Sequence, residues 1–249
     1  METEVRTYWE NTQKPWGKLF YQGVWEQLPP WQGKRLLDFG SGFGITAAHL
    51  GEHNQVTAVE PNRELLALRV GEGTYRQLVG GVEQLAALEE GSFDGIVCHN
   101  VLEYAPQRQE ILREFARLLG PEGTLSVVKH NLPGRVLQKA VFENRPEEAA
   151  ALLEGGSLQV RNFGQVHYYQ TEDLVRWAPG LEVRQVLGVR IFFGLPQDNA
   201  AKEDPAWQQA MLRLEAAAAG REPYRQMAFF HHVLLRPRQS PPLSHKTPG

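Results

Sequence analysis

Between residues 33 and 130 the chain alternates short apolar runs with helical patterns, and that alternation constrains its fold more than any other feature of the 249 residues. The runs "RLLDF" (35–39), "QVTAVE" (55–60), "RQLVGG" (76–81), "FDGIVCH" (93–99) and "GTLSVVK" (123–129) read as strands, several bounded by Gly, Pro or Asn. They are nearly all apolar, as strands covered on both faces must be. Between them, 63–70 and 109–119 have helical spacing. In the second, Ile111, Leu112, Phe115, Leu118 and Leu119 make one stripe with arginines outside it. Strands separated by helices form a parallel sheet with right-handed crossovers. Two later runs, 181–193 and 227–237, read as final strands, with a helix predicted between them from Pro205, capped by Asp204. That long excursion argues for an antiparallel last strand inserted back into the sheet. The expectation is an α/β fold with a seven-stranded, mostly parallel sheet and a helical insertion after strand five.

Three divisions of the chain are expected: an aromatic helical segment at 1–32, a main domain at 33–236 with 131–180 inserted, and a proline-rich disordered tail at 237–249. In "YWENTQKPWGKLFYQGVWEQL" a helix is predicted at about 17–28, either packed on the sheet edge or flapping over a ligand. A short helix is predicted to begin at Thr171, a plausible cap. The charged start "METEVRTYWEN" and the lack of a long apolar run predict no signal peptide, no membrane span and a cytoplasmic location. Cys98 is the single cysteine, so no internal disulfide forms, and its apolar strand makes it an inert core residue. The net charge of −3 argues against non-specific nucleic-acid binding. Residues 1–125 carry 11 basic and 17 acidic side chains, whereas residues 126–249 carry 15 and 12. Either surface charge is scattered, or the second half faces an anionic substrate.

"RLLDFGSGFGIT" (35–46) raises the question of a ligand. Asp38-Phe39-Gly40 spells a kinase triplet, but 37 residues are too few for the lobe that must precede it. A dinucleotide fingerprint needs G-x-G-x-x-G, and here the spacing is Gly40-x-Gly42-x-Gly44, one residue tighter. That disfavours NAD without excluding it. S-adenosylmethionine has no phosphate, so its turn need only let methionine and ribose approach a backbone without Cβ atoms.

"LLDFGSGFG" resembles motif I of class I S-adenosylmethionine-dependent methyltransferases, and "VTAVEPN" resembles the acidic strand end that follows it. The resemblance implies a Rossmann-like fold, S-adenosylmethionine as cofactor, and contacts from Asp38, Gly40, Ser41, Gly42 and Gly44, with Glu60 holding the ribose hydroxyls. "GGVEQL" matches the place where that superfamily sets residues beside the adenine, so the resemblance implies that role for Val82 and Glu83, although Glu83 is also an ordinary acid for a helix start. "SFDGIVCHNVLEYAP" sets His99 at the carboxyl end of the fourth strand, where open α/β sheets bind ligands.

More narrowly, "CHNVLEY", "ILREFARLLGPEGTLSVVKHN", "GVRIF" and "GREPYRQMAFFHHVLLRP" are similar to the tRNA 5-carboxymethoxyuridine methyltransferase family, which esterifies a carboxylate on a wobble uridine. The chain departs from that family in its N-terminal helix, where Phe20, with Lys18 nearby, replaces an arginine. Two substrates are therefore weighed: a tRNA carboxylate, and a small molecule methylated on oxygen or nitrogen. An inactive binding module is the other alternative, and neither a metal nor a membrane is expected.

Methyl transfer from a sulfonium is an in-line displacement, so catalysis is mostly positioning. A carboxylate nucleophile is already ionised at neutral pH and needs donors to orient it. Tyr104, His130 and Arg190 are candidates for that role, with Lys129 and Arg135 secondary. A hydroxyl or amine needs a base, for which His99 and His130 are the candidates. His231 and His232 are adjacent in a strand and face opposite sides, so they cannot pair on a metal.

Overall fold

A computed structural model describes residues 3–155, 159–160 and 164–238. The seven strands of the main sheet are β1 (Arg35–Phe39), β2 (Gln55–Glu60), β3 (Arg76–Val79), β4 (Phe93–His99), β5 (Leu119–His130), β6 (Leu181–Val189) and β7 (Phe230–Pro237). They lie side by side in the order β3-β2-β1-β4-β5-β7-β6. The first five pair in parallel, and β7 enters antiparallel between β5 and β6. This is the expected α/β architecture. The direction of winding reverses between β1 and β4, and the crevice at the carboxyl ends of those two strands is where such sheets take ligands.

Among the described residues, ten α-helices flank the sheet: α1 (Thr3–Gln13), α2 (Pro15–Trp25), α3 (Ile45–Gly51), α4 (Arg63–Leu66), α5 (Arg108–Leu118), α6 (Leu132–Leu137), α7 (Pro146–Leu153), α8 (Thr171–Trp177), α9 (Pro205–Ala218) and α10 (Tyr224–Met227). The predicted stripe on α5 buries Ile111, Leu112, Phe115 and Leu118 against the sheet. Each such side chain contributes about 1.5–3 kcal/mol. Asp204 caps α9 by accepting from Ala206 N, with Pro205 in the first turn, as its sequence predicts. Cys98 is buried in the same core, and burial pushes its thiol up.

The differences from expectation have local causes. The N-terminal segment holds two helices, and α2 starts earlier than position 17 because Pro15 suits a first turn. The cap of α8 is Gln170, not Thr171, in a reciprocal box with Asp173. The run 181–193 stops being a strand at Val189. Arg190 takes a left-handed φ of 58°, and the Glu215 carboxylate then accepts from the N–H groups of Ile191, Phe192 and Phe193. Of the expected tail, Pro237 ends β7, and residues 239–249 lie outside the described residues. Among the described residues no helix is long and apolar enough to cross a membrane.

Candidate active site

The glycine turn leaves the end of β1 and is tied to β2, because Gly40 N and Ser41 N both donate to Val59 O at 2.8 and 3.1 Å. Its three glycines do different work. A Cβ on Gly44 would stand 2.0 Å from Tyr75 Oη, which donates to Val70 O at 2.8 Å and is held there. On Gly40 it would strike Val101 at 2.3 Å. On Gly42, at φ 55°, it would meet no protein atom within 4 Å. Gly40 and Gly44 therefore serve packing, and Gly42 is the point where a ligand can lie against bare backbone.

Glu60, at the end of β2, is 6% exposed. Its Oε2 accepts from Gly42 N at 2.9 Å and its Oε1 from Asn62 N at 2.8 Å. Each oxygen keeps a second lone pair, which a pair of neighbouring hydroxyls can use. Burial raises the Glu60 pKa against the pull of these two N–H groups. Gly40, Gly42, Glu60, Gly81, Val82 and His99 line one wall of a cavity of about 580 Å³. Asp38 stands behind the turn, fully buried, and burial together with the Glu60 charge raises it to about 7. Its Oδ2 and the Ser41 Oγ have no hydrogen-bond partner among the described residues. Glu83 is exposed, does not line the cavity, and turns its carboxylate back to accept from Gly81 N at 2.7 Å.

Tyr104, His130, Arg135 and Phe230 form the far wall of the same cavity. Tyr104 Oη lies 3.1 Å from His130 Nε2, while His130 N donates to Glu103 Oε1 at 2.6 Å. Burial, with the Arg135 and Lys129 charges behind it, lowers His130 to about 3. It is thus neutral and a poor base at pH 7. Arg135 donates to Gln138, yet its Nε is buried without a partner among the described residues. Lys129 points the other way along β5, over the Tyr169 ring at 5.0 Å, and lines a separate cavity with His231. Arg190 lies over the Phe193 and Phe229 rings and lines a third cavity of about 300 Å³. The structure thus gathers His99, Tyr104 and His130 around one space, adds Arg135, and leaves Arg190 outside its lining.

Sequence reasoning missed Tyr8, which reaches the cavity from α1 and packs on Phe43 of the glycine turn with ring centroids 5.0 Å apart. It also missed a buried chain of hydrogen bonds behind His99: His99 Nε2 lies 2.8 Å from Ser126 Oγ, and Ser126 Oγ 2.7 Å from His232 Nε2. The apolar-run criterion could not find it, because Ser126 and His232 sit in strands that otherwise read as core.

A family model described as a methyltransferase domain matches residues 37–127. A ubiquinone biosynthesis O-methyltransferase of Xanthomonas oryzae pv. oryzae is 31% identical over 177 residues, covering 61% of this chain and 73% of that protein. Among solved structures, an S-adenosylmethionine-dependent methyltransferase of Thermotoga maritima superposes with a TM-score of 0.61 at 17% identity, over 94% of this chain and 96% of that one. One from Mesorhizobium loti gives 0.56 at 18% identity, over 89% and 99%. The open backbone at Gly42 and the spare lone pairs of Glu60 fit the cofactor such enzymes use. The chain belongs to the class I S-adenosylmethionine-dependent methyltransferases.

Proposed function

We propose that the protein is an O-methyltransferase acting on a small molecule whose accepting oxygen is already an anion, a carboxylate first of all. The observation that carries this reading is the far wall. Arg135 presents a cation whose Nε–H has no partner among the described residues beside the Tyr104–His130 pair, His130 is a poor base, and Glu103, the acid bonded to His130 N, is buried off the cavity's lining. Such a wall orients an ionised oxygen and has little means of deprotonating a neutral one. S-adenosylmethionine supplies the electrophilic methyl group when bound. The chain's part is to hold its ribose on Glu60 and its backbone-facing side on Gly42. The aromatic lining of Tyr8, Tyr104 and Phe230 keeps water from the line of attack.

The relative's printed activity, O-methylation in ubiquinone biosynthesis, supports oxygen as the acceptor atom and favours a second reading, a phenolic hydroxyl. The net charge of −3 and the acidic balance of residues 1–125 weigh against a tRNA acceptor, and these relatives lend it no support. Labelled cofactor incubated with small carboxylic acids, with phenols and with bulk tRNA separates the three. The expected product carries label that mild alkali releases as methanol, as an ester does and an aryl ether does not. Alkali-stable product would favour the phenol, and label in RNA would overturn the small-molecule reading.

A further inference from the structure

His99 stands where the two walls of the cavity meet, at the end of β4, between the glycine turn of β1 and His130 of β5. Behind it, side chains from three strands and the turn after α2 are joined in one line. Register sets the line up: Val128 of β5 lies beside both His99 and His232, and Ser126, two residues earlier, shares its face. The line runs from His99 Nε2 to Ser126 Oγ at 2.8 Å, on to His232 Nε2 at 2.7 Å, and from His232 Nδ1 to Gln27 Oε1 at 2.9 Å. It ends where Gln27 Nε2 donates to Gly188 O at 3.0 Å.

The direction of every proton in this line follows from its far end. A carbonyl can only accept, so the Gln27 amide must turn its NH2 to Gly188 and its oxygen to His232. That oxygen also only accepts, so His232 carries its proton on Nδ1. His232 is fully buried and neutral, held at about 3 by burial, so its Nε2 is a lone pair. Ser126 must therefore give its hydroxyl proton to His232 and accept from His99. His99 is held neutral by burial and by His232, so with its proton on Nε2 its Nδ1 is bare.

We propose that Gln27, His232 and Ser126 are positioning residues that fix the tautomer of His99, so that its Nδ1 is a hydrogen-bond acceptor for the amino group of the bound cofactor. The cofactor's methionine end carries an ammonium, a donor that a lone pair attracts. An acceptor carboxylate has no proton to offer, and the lone pair repels it, which helps keep the two ligands on their own sides. The inference needs S-adenosylmethionine as cofactor and does not depend on which acceptor is methylated.

Histidine ring nitrogen spectra of the full chain test it directly, with His99 and His232 assigned through His→Gln variants. The expected result is a proton on Nε2 of His99 and on Nδ1 of His232, kept when S-adenosylhomocysteine binds. A proton on Nδ1 of His99 overturns the proposal whatever any variant does. Ser126→Ala breaks the line in its middle. It is expected to mix the His99 tautomers and raise the dissociation constant of S-adenosylhomocysteine about tenfold, with Ser126→Thr restoring most of the affinity. Wild-type affinity in a Ser126→Ala protein whose His99 tautomers have mixed would also overturn it.

Discussion

The two walls of the cavity are assembled in opposite ways. The wall we assign to the cofactor comes from residues close together in the chain: Gly40 and Gly42 in one turn, and Glu60 only 18 positions beyond Gly42. The wall we assign to the acceptor joins distant segments, with Tyr104 meeting His130 across 26 positions and Phe230 of the last strand packing on His130 with ring centroids 4.9 Å apart. A ligand shared by a whole family can be held by one compact motif on two neighbouring strands. The part that sets specificity is left to insertions and to whatever the last strands bring in.

The largest test of this contrast is within the glycine turn itself. Gly42→Ala places a methyl group in the cofactor's space and is expected to weaken S-adenosylhomocysteine binding about 100-fold, equivalent to about 2.7 kcal/mol. Gly44→Ala instead drives a methyl group onto Tyr75 Oη and costs about 3 kcal/mol of stability, with the smaller effect on binding. Calorimetric titration and thermal denaturation of both variants would check this pair.

Across the cavity, Arg135→Ala is expected to lower kcat/KM for the acceptor about 30-fold, and Arg135→Lys recovers only part because it lacks the fork. Steady-state kinetics on the acceptor found by the labelling screen measures this.

The two walls also answer to pH with opposite sign in the cofactor-free protein. Folded Asp38 titrates near 7 against an ordinary 3.8, so between those values the folded state holds a proton that the unfolded chain gives up. That contribution to stability falls as pH rises through the window. Asp38→Asn should gain on wild type there by up to about 1.4 kcal/mol per pH unit. His130, at about 3 folded against 6.5 unfolded, lacks a proton that the unfolded chain takes up. Its contribution is lost as pH falls below 6.5, and His130→Gln should gain on wild type in that direction. Denaturant melts of both variants from pH 4 to 8 would show the two slopes. The smallest effect is expected at the N-terminal cover. Tyr8→Ala weakens S-adenosylhomocysteine binding about fivefold, because only one side of the turn loses its packing.

What the sequence reveals follows the same division. The strands of the sheet and the stripe on α5 were legible because burial imposes a period on residues near each other. The glycine turn and Glu60 were legible as neighbours because they end adjacent parallel strands, and Glu60 accepts from Gly42 N. Gly44 and Glu83 show the limit: motif resemblance puts both beside the cofactor, yet Gly44 makes room for Tyr75 and Glu83 caps its own loop. Arg190 looked like a substrate residue in a strand, but a left-handed backbone and the Glu215 carboxylate carry the chain away. His231 and His232 read only as strand neighbours unable to share a metal, and it is Gln27, from the other end of the chain, that gives His232 a partner.

We assign cofactor and acceptor to separate walls. Calorimetry of S-adenosylhomocysteine binding to Glu60→Ala and Arg135→Ala tests this assignment most directly. The expected result is a loss of about 100-fold for Glu60→Ala and unchanged affinity for Arg135→Ala. Undiminished binding by Glu60→Ala, or a loss of similar size in Arg135→Ala, would contradict it.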